Sequence, residues 1–517
     1  MVPHRKVKIN AAHETLRPAL ERGLGNAHAI CFKDREITYS ELNDSVNRIG
    51  NGLKAIGVAL ENRVLMMMHD SPDFIAAYLG TMKIGAVAVA INVKCSSEEL
   101  LFAIQDTRCV CVILDEEFLP LYEKIFPLLG TRPRLLLSRC RNGVENTLQH
   151  CLDNQPAELE PALMDPDDMA FWVYTSGTTG VPKAVIHLQH DVLGADIYLS
   201  RVLGLRQGDR LFATSKLYFA YALGNCLFGS FRLGLTTILH DAWPTPEAVI
   251  DIIGRHHPTV LFSVPVFYRN LLQSAAATPG NLHGVRVYVS AGERLPVPVA
   301  QRWRAMTGAS ITEGYGNSEC IFMALSNRPD NARPGSAGQV CPDAEVRLVD
   351  VDTEEVISQP GKSGVLWIAM PSLCDRYWNQ QARSNEVFRG KWFCTGDRFM
   401  FDQDGFYFHQ GRVDDMLKIS GQWVSASEIE DSIQDADVME AAVVNMPDDD
   451  GLDQLALFIA ARNPDVDKKA LTQKITIQLQ SKLAKYKCPR KIYFIDHLPR
   501  TANGKLQRHK LQEPRSD

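Results

Sequence analysis

Met169–Ala170–Phe171–Trp172–Val173 runs straight into Tyr174–Thr175–Ser176–Gly177–Thr178–Thr179–Gly180–Val181–Pro182–Lys183, and this junction decides the fold. The first run is short, apolar and aromatic, which predicts a buried strand. The second predicts a polar loop leaving the end of that strand. Gly177 and Gly180 let the backbone approach a ligand closely. The hydroxyls of Thr175, Ser176, Thr178 and Thr179, with exposed N–H groups, can then face phosphate oxygens, and Lys183 adds a full charge. A solvated Ser/Thr/Gly linker has a similar composition. It does not account for a lysine behind Gly-Val-Pro, or for the immediate return to apolar residues at Ala184–Val185–Ile186. The stretch is therefore read as phosphate-binding. It is not the Walker pattern, which needs Gly-Lys-Ser/Thr opening a helix.

Upstream, Thr38–Tyr39–Ser40–Glu41 fits a capping box. Behind it Leu42, Val46, Ile49, Leu53 and Ile56 recur at helical spacing. Strands are expected over 63–69, 86–91 and 109–114, alternating with helices over 73–84 and 97–105. Residues 140–168 are polar and read as a loop feeding the phosphate stretch. Downstream a second series follows, with strands over 209–214, 235–239, 259–264 and 285–290 and a helix over 246–253. Alternation of this kind argues for α/β layers with largely parallel sheets, and ligands in such sheets sit beyond the carboxyl ends of the strands. From about Asp343 shorter runs with Gly turns suggest an antiparallel β unit. After Gly411–Arg412 helices over 427–433 and 468–483 flank strands over 441–445 and 455–461, enough for a small α+β domain.

The 517 residues suggest about three domain-sized units. A hydrophobic content of 45%, a charged content of 22% and a net charge of −6 give no electrostatic case for nucleic acid or an anionic membrane. The longest apolar run, Ile84–Val93, falls short of the ~20 residues a membrane span requires. The basic start, Met1–Lys6, has no apolar stretch behind it, so no secretory signal is expected and the chain is assigned to the cytoplasm. The 12 cysteines include no Cys-x-x-Cys pair, which argues against zinc and for reduced thiols. His187 and His190, and the adjacent His256 and His257, lack a carboxylate at ligand spacing and are read as structural or exposed.

Four more polar clusters stand at the ends of apolar runs. They are Glu313–Gly314–Tyr315–Gly316–Asn317–Ser318–Glu319, Trp392–Phe393–Cys394–Thr395–Gly396–Asp397, Gly411–Arg412–Val413–Asp414–Asp415–Met416–Leu417–Lys418 and Pro499–Arg500–Thr501–Ala502–Asn503–Gly504–Lys505. Each alone is an ordinary Gly turn. In this order, with the opening stretch, they resemble the acyl-adenylate-forming superfamily of acyl-CoA synthetases, adenylation domains and luciferases, from about residue 30 to 510. Segments outside those motifs narrow the resemblance to benzoate–CoA and other aryl-CoA ligases. They are Ile186–Asp191, Phe219–Asn225, Val289–Glu293 and Leu325–Pro329.

The resemblance implies a large N-terminal domain, residues 1–411, of stacked mostly parallel sheets with helices and a β-barrel-like subdomain. A small mobile α+β domain, 412–517, would follow, with Asp414 as the hinge. It implies ATP-dependent activation of an aromatic carboxylic acid with Mg²⁺, then transfer to CoA. The alternatives are a stand-alone adenylating enzyme loading a separate carrier protein, or an anthranilate or aminobenzoate–CoA ligase. A catalytically silent nucleotide-binding protein is disfavoured by Glu319, Asp397 and Lys505 standing in place. A homodimer is left open.

Roles carry over residue by residue. Thr175, Ser176, Gly177, Thr178, Thr179, Gly180 and Lys183 would hold the pyrophosphate end of ATP. Glu313, Tyr315, Gly316 and Asn317 would bind the nucleotide, with Tyr315 stacking on adenine. Ser318 would face the α-phosphate and Glu319 would hold Mg²⁺. Asp397 would accept from the ribose diol, with Arg412 at the same edge. Lys505 would reach the reacting carboxylate and α-phosphate, while Lys418, Ser420 and Gly421 would line the CoA tunnel. Phe219, Ala220, Tyr221, Ala291, Gly292 and Phe322 would form the acid pocket, a flat slot suited to a ring. The chain departs from many benzoate and anthranilate ligases in carrying Phe322 where they carry His. That makes one wall apolar and favours benzoate or a weakly polar substituent. Ala184 replaces a common Gly, with little consequence expected.

Overall fold

The apolar run at 169–173 is a strand, but it extends further than its composition suggests, over Met169–Ser176. It pairs antiparallel with Pro182–Leu188, placing Val173 opposite Val185 and Thr175 opposite Lys183. Tyr174, Thr175 and Ser176 therefore belong to the ladder rather than to the loop. Tyr174 is held there by its hydroxyl, which donates to Asp106 Oδ2 at 2.7 Å. A polar residue stays in a strand when its side chain finds a partner and its backbone keeps the ladder. The computed structural model describes residues 7–140, 147–153, 155–176, 182–413, 416–419, 422–433, 435–447, 453–500 and 506–512. Gly177, Thr178, Thr179, Gly180, Asp414, Ser420, Gly421 and Lys505 lie outside them.

The chain divides into two units, residues 1–346 with 368–393, and residues 347–367 with 394–517. In the first, a seven-stranded sheet runs Arg376–Tyr377, Pro182–Leu188, Met169–Ser176, Val87–Ala90, Arg63–Met67, Cys111–Asp115, Arg134–Ser138. From Met169–Ser176 onward its neighbours are parallel, as alternating strands and helices predict. Helix Tyr39–Ala55 begins at the expected capping box, with Glu41 N–H on Thr38 Oγ1 at 3.2 Å and Thr38 N–H on Glu41 Oε2 at 2.8 Å. Such a cap is worth about 1 kcal/mol.

The second sheet of this unit has nine strands. Its order is Gln339–Val340, Met323–Ser326, Ile311–Gly316, Val287–Ser290, Val260–Ser263, Arg210–Ala213, Thr236–Leu239, His28–Phe32, Arg35–Thr38. Helices Pro246–His256, Pro265–Gln273 and Val297–Thr307 pack on one face around Phe212, Leu261, Tyr288 and the fully buried Trp303. Ser263 and Ser290 end their strands in register, and Ser290 stands opposite Glu313, from which the strand Ile311–Gly316 runs on to Gly316. The loops that follow them therefore emerge side by side, which is what gathers the candidate site.

In the second unit, residues 397–401 pair antiparallel with Tyr407–Arg412, setting Asp397 opposite Arg412. A hairpin of Met416–Ile419 and Gln422–Ser425 follows. Val438–Pro447, Asp453–Ala461 and Lys491–Ile495 then form a three-stranded sheet. Leu457, Ile459, Ile475 and Leu479 form its core with helix Lys468–Lys482. No helix of the described residues is long and apolar enough to cross a membrane. The described cysteines with placed side chains are free thiols.

Candidate active site

The loop between Ile311–Gly316 and Met323–Ser326 lies at the centre of the first unit's candidate residues. A bulge at Tyr315/Gly316 turns the chain out of the ladder. Gly316 is required there, because a Cβ would stand 2.6 Å from the Phe322 carbonyl oxygen. Ile321 takes φ +56, a left-handed conformation that a β-branched residue adopts at a cost of about 1–3 kcal/mol. Surrounding contacts hold that strain. The Ile321 carbonyl packs where Gly224 has no side chain, with 2.6 Å between that oxygen and an imagined Cβ.

Four bonds pin this loop from two other strands and the segment after 371. His187 Nε2 lies 2.8 Å from the Ser318 carbonyl oxygen. Tyr377 donates to Glu319 Oε1 at 2.6 Å. Cys374 N–H donates to the Glu319 carbonyl at 2.8 Å, and Ser372 Oγ to the Cys320 carbonyl at 2.8 Å. Burial, with the Glu319 charge beside it, pushes the Tyr377 hydroxyl well above the usual phenol range, so it stays a donor. The Lys183 ammonium stands 4.5 Å from the centroid of the same ring. Tyr377 thus has the predicted phosphate-loop lysine over its ring and the predicted metal carboxylate on its hydroxyl.

That donor set fits Mg²⁺, which takes hard oxygen ligands and is held by one or two carboxylates plus substrate phosphates. Glu319 is 8% exposed, with one oxygen fixed by Tyr377 and the carboxylate anchored through its own backbone. In the same loop Asn317 Oδ1 is buried with no hydrogen-bond partner among the described residues.

Glu313 sits deeper than a ligand-facing residue need be. Its Oε1 accepts from Leu295 N–H at 3.0 Å, and its carbonyl accepts Asn327 N–H at 2.9 Å and Asn327 Nδ2 at 3.2 Å. It ties the loop after Ser290 to the adjacent strand. Burial pushes its carboxyl up to about 8, against the Leu295 hydrogen bond and the nearby Arg294 charge. Tyr315 stands opposite Leu325 in the ladder.

Short contacts link the three segments expected to line an acid pocket. Phe219 precedes the short helix Ala220–Ala222. The Tyr221 hydroxyl donates to the Val289 carbonyl at 3.2 Å, two residues before Ala291. Gly292 takes φ +88, turning the chain out of the strand Val287–Ser290. Phe322 is buried, its ring 3.2 Å from the imagined Cβ of Gly224. In the second unit, Asp397 Oδ1 accepts from Arg412 Nη1 at 3.3 Å and lies 3.4 Å from His409 Nε2. Lys418 lies in the strand Met416–Ile419, opposite Trp423.

Sequence reasoning missed Tyr377, Ser372, Cys374, His409 and the pair His187–Asp191. His187 is fully buried and its Nδ1 lies 2.7 Å from Asp191 Oδ2. The spacing His-x-x-x-Asp was available as a signal. From the sequence alone no carboxylate is read at ligand spacing for this histidine, whereas His187 stands next to last in its strand and Asp191 in the turn that follows.

Comparison with known proteins supplies the remaining findings. Residues 18–378 match the AMP-binding enzyme family, and residues 428–505 match the AMP-binding enzyme C-terminal domain. The chain is 44% identical over 508 residues to a 3-hydroxybenzoate–CoA/4-hydroxybenzoate–CoA ligase of Thauera aromatica, covering 98% of this chain and 97% of that protein. An anthranilate CoA ligase crystallised with anthranoyl-AMP superposes with a TM-score of 0.91 at 34% identity, over 98% of this chain and 97% of that one. A benzoate CoA ligase from Burkholderia xenovorans LB400 superposes with a TM-score of 0.89 at 31% identity, over 98% and 100%.

Proposed function

This chain belongs to the AMP-binding enzymes, and we propose that it is an AMP-forming aryl-CoA ligase whose acid is a hydroxybenzoate or benzoate. ATP and CoA are its co-substrates. In the first half-reaction a carboxylate oxygen attacks the α-phosphorus. The new O–P bond forms as the α–β phosphoanhydride bond breaks, and pyrophosphate leaves with the electron pair. In the second, the CoA sulfur attacks the acyl carbon, AMP leaves with the C–O electrons, and the thiol proton passes to solvent.

The observation that carries this reading is the placing of Lys183 over the ring of Tyr377 and of Glu319 on its hydroxyl. A carboxylate attacking a phosphate brings two anions together, and the transition state concentrates negative charge. Fixed cations and donors lower that barrier because they need no reorganisation as the charge develops. In this reading Lys183 faces the leaving phosphates, Ser318 the α-phosphate, and Lys505 the reacting carboxylate. Glu319 and the Asn317 amide oxygen would hold Mg²⁺, which when bound would supply charge neutralisation to the triphosphate. Asp397, with Arg412 and His409 at its Oδ1, accepts from the ribose diol. The division at Gly411, the hinge at Asp414 and the CoA tunnel at Lys418, Ser420 and Gly421 are parts of the same reading, as is a cytoplasmic setting.

The buried Phe322 gives the ring slot an apolar wall, consistent with a neutral ring bearing at most a hydroxyl. A relative 44% identical over 98% of this chain is named for 3- and 4-hydroxybenzoate. A panel of benzoate, 3- and 4-hydroxybenzoate, 2-aminobenzoate and a medium-chain fatty acid, followed by AMP release with CoA, tests the reading. Turnover confined to the fatty acid, or none with CoA, overturns it. AMP formation with carrier-protein acylation but no aryl-CoA would point to the stand-alone adenylating alternative.

A further inference from the structure

His187 and Asp191 form a pair with no exposed side-chain surface, in the first unit and outside every role assigned above. The imidazole stacks on Phe171 with ring centroids 4.7 Å apart and planes 11° apart. Its two nitrogens meet unlike partners. Nε2 faces the Ser318 carbonyl at 2.8 Å, and a carbonyl can only accept. Nδ1 faces Asp191 Oδ2 at 2.7 Å, and the same oxygen accepts Leu188 N–H at 3.1 Å. The ring therefore carries a proton on Nε2, and a second proton lies on the Nδ1–Oδ2 line. Asp191 Oδ1 also lies 3.3 Å from His190 Nε2.

We propose that His187, locked by Asp191, is a positioning residue for the Ser318–Glu319 peptide. It fixes the carbonyl between the α-phosphate hydroxyl and the metal carboxylate. Of the four bonds that pin this loop, the one from His187 Nε2 is made to the carbonyl of this peptide itself. A hydrogen bond from a rigid, fully packed ring restrains that peptide plane, and the Glu319 carboxylate is then aimed before the nucleotide arrives. Partners one shell out from a metal ligand typically contribute 10–100-fold to affinity or activity. The inference rests on the assignment of Glu319 in the proposed function.

Asp191→Asn tests it with little change of volume. An asparagine oxygen can take both Leu188 N–H and Nδ1–H, but without the carboxylate charge the ring keeps one proton and Nε2 is left bare against the Ser318 carbonyl. With the amide reversed, its NH2 confronts Leu188 N–H. The first orientation strips the Ser318 carbonyl of its donor; the second keeps that donor and strands Leu188 N–H instead, which disfavours it. In the full chain, binding of Mg²⁺ with a non-hydrolysable ATP analogue, followed by calorimetry, is expected to weaken about 10–100-fold. KM for the acid and thioester formation from supplied aryl-AMP are expected to stay within about 2-fold. Unchanged Mg²⁺–nucleotide binding in folded Asp191→Asn, together with equal binding by His187→Gln and His187→Met, overturns the proposal.

If that variant does not fold, His187→Gln and His187→Met decide the matter. Both keep the volume roughly, but only glutamine can donate to the Ser318 carbonyl, so it should bind the Mg²⁺–nucleotide probe about 10-fold more tightly than methionine. Equal binding overturns the proposal. Failure of the unmodified chain to make aryl-CoA would instead strike the functional reading, and the binding comparison would stand apart from it.

Discussion

The Tyr377 hydroxyl donates a 2.6 Å hydrogen bond to Glu319 Oε1, from a strand that pairs with Pro182–Leu188. One phenol thereby ties the strand carrying Lys183 to the loop carrying the candidate metal carboxylate. Tyr377→Phe keeps the ring under Lys183 and removes only the hydroxyl. We expect the Mg²⁺ requirement for AMP release to rise about 10–100-fold, with a loss of about 1–3 kcal/mol in stability from the unmade bond. A magnesium titration and a thermal melt check both. An unchanged titration would mean that Glu319 needs no such anchor.

Gly316→Ala places a methyl 2.6 Å from the Phe322 carbonyl and 3.3 Å from Met323 Cα. Both neighbours are backbone, so the strain has no flexible side chain to absorb it. A destabilisation of about 1–3 kcal/mol is expected, with loss of pyrophosphate exchange out of proportion to it. Denaturant titration beside an exchange assay separates the two effects.

Glu313 gives a signed pH dependence. Its carboxyl is pushed from 4.5 up to about 8 by burial, so the native state holds its proton where the unfolded chain has released it. The stability it confers is whole below pH 4.5 and is lost as pH rises through about 8. Glu313→Gln keeps an acceptor for Leu295 N–H and removes the titration. The unfolding free energy should then fall less steeply over that window, and the variant should gain on the order of a few kcal/mol over the parent at pH 8.5. Parallel pH profiles of parent and variant would contradict the buried assignment.

Lys505→Ala is expected to abolish aryl-AMP formation by ~10²–10³ and to leave thioester formation from supplied aryl-AMP largely intact. Survival of both half-reactions would remove Lys505 from the mechanism. Asp414→Pro, by fixing φ at the proposed hinge, should permit adenylation and stall CoA-dependent turnover. Stopped-flow measurement of each half-reaction reads this directly.

Much of the architecture was legible locally. The capping box at Thr38–Glu41, the strands Arg63–Met67, Val87–Ala90, Cys111–Asp115 and Val260–Ser263, and the helix Lys468–Lys482 follow from spacing, because helix and strand periods are written in nearest neighbours. The junction at Tyr174–Ser176 was read as loop from its polarity. Its strand character depends on Pro182–Leu188 folding back as a partner and on Asp106 accepting the Tyr174 hydroxyl, which no local pattern announces.

The sequence by itself determined the ordered motifs, the phosphate-loop lysine and the candidate carboxylates Glu319 and Asp397, since side-chain chemistry is inherent in the residue. Only the tertiary structure decided what holds them. Tyr377 lies 58 residues from Glu319 and His187 lies 131 residues from Ser318, yet each pair is within hydrogen-bond reach. Such contacts arise where non-consecutive strands and their loops come together, and hydrogen bonding requires a closeness in space that separation along the chain does not encode.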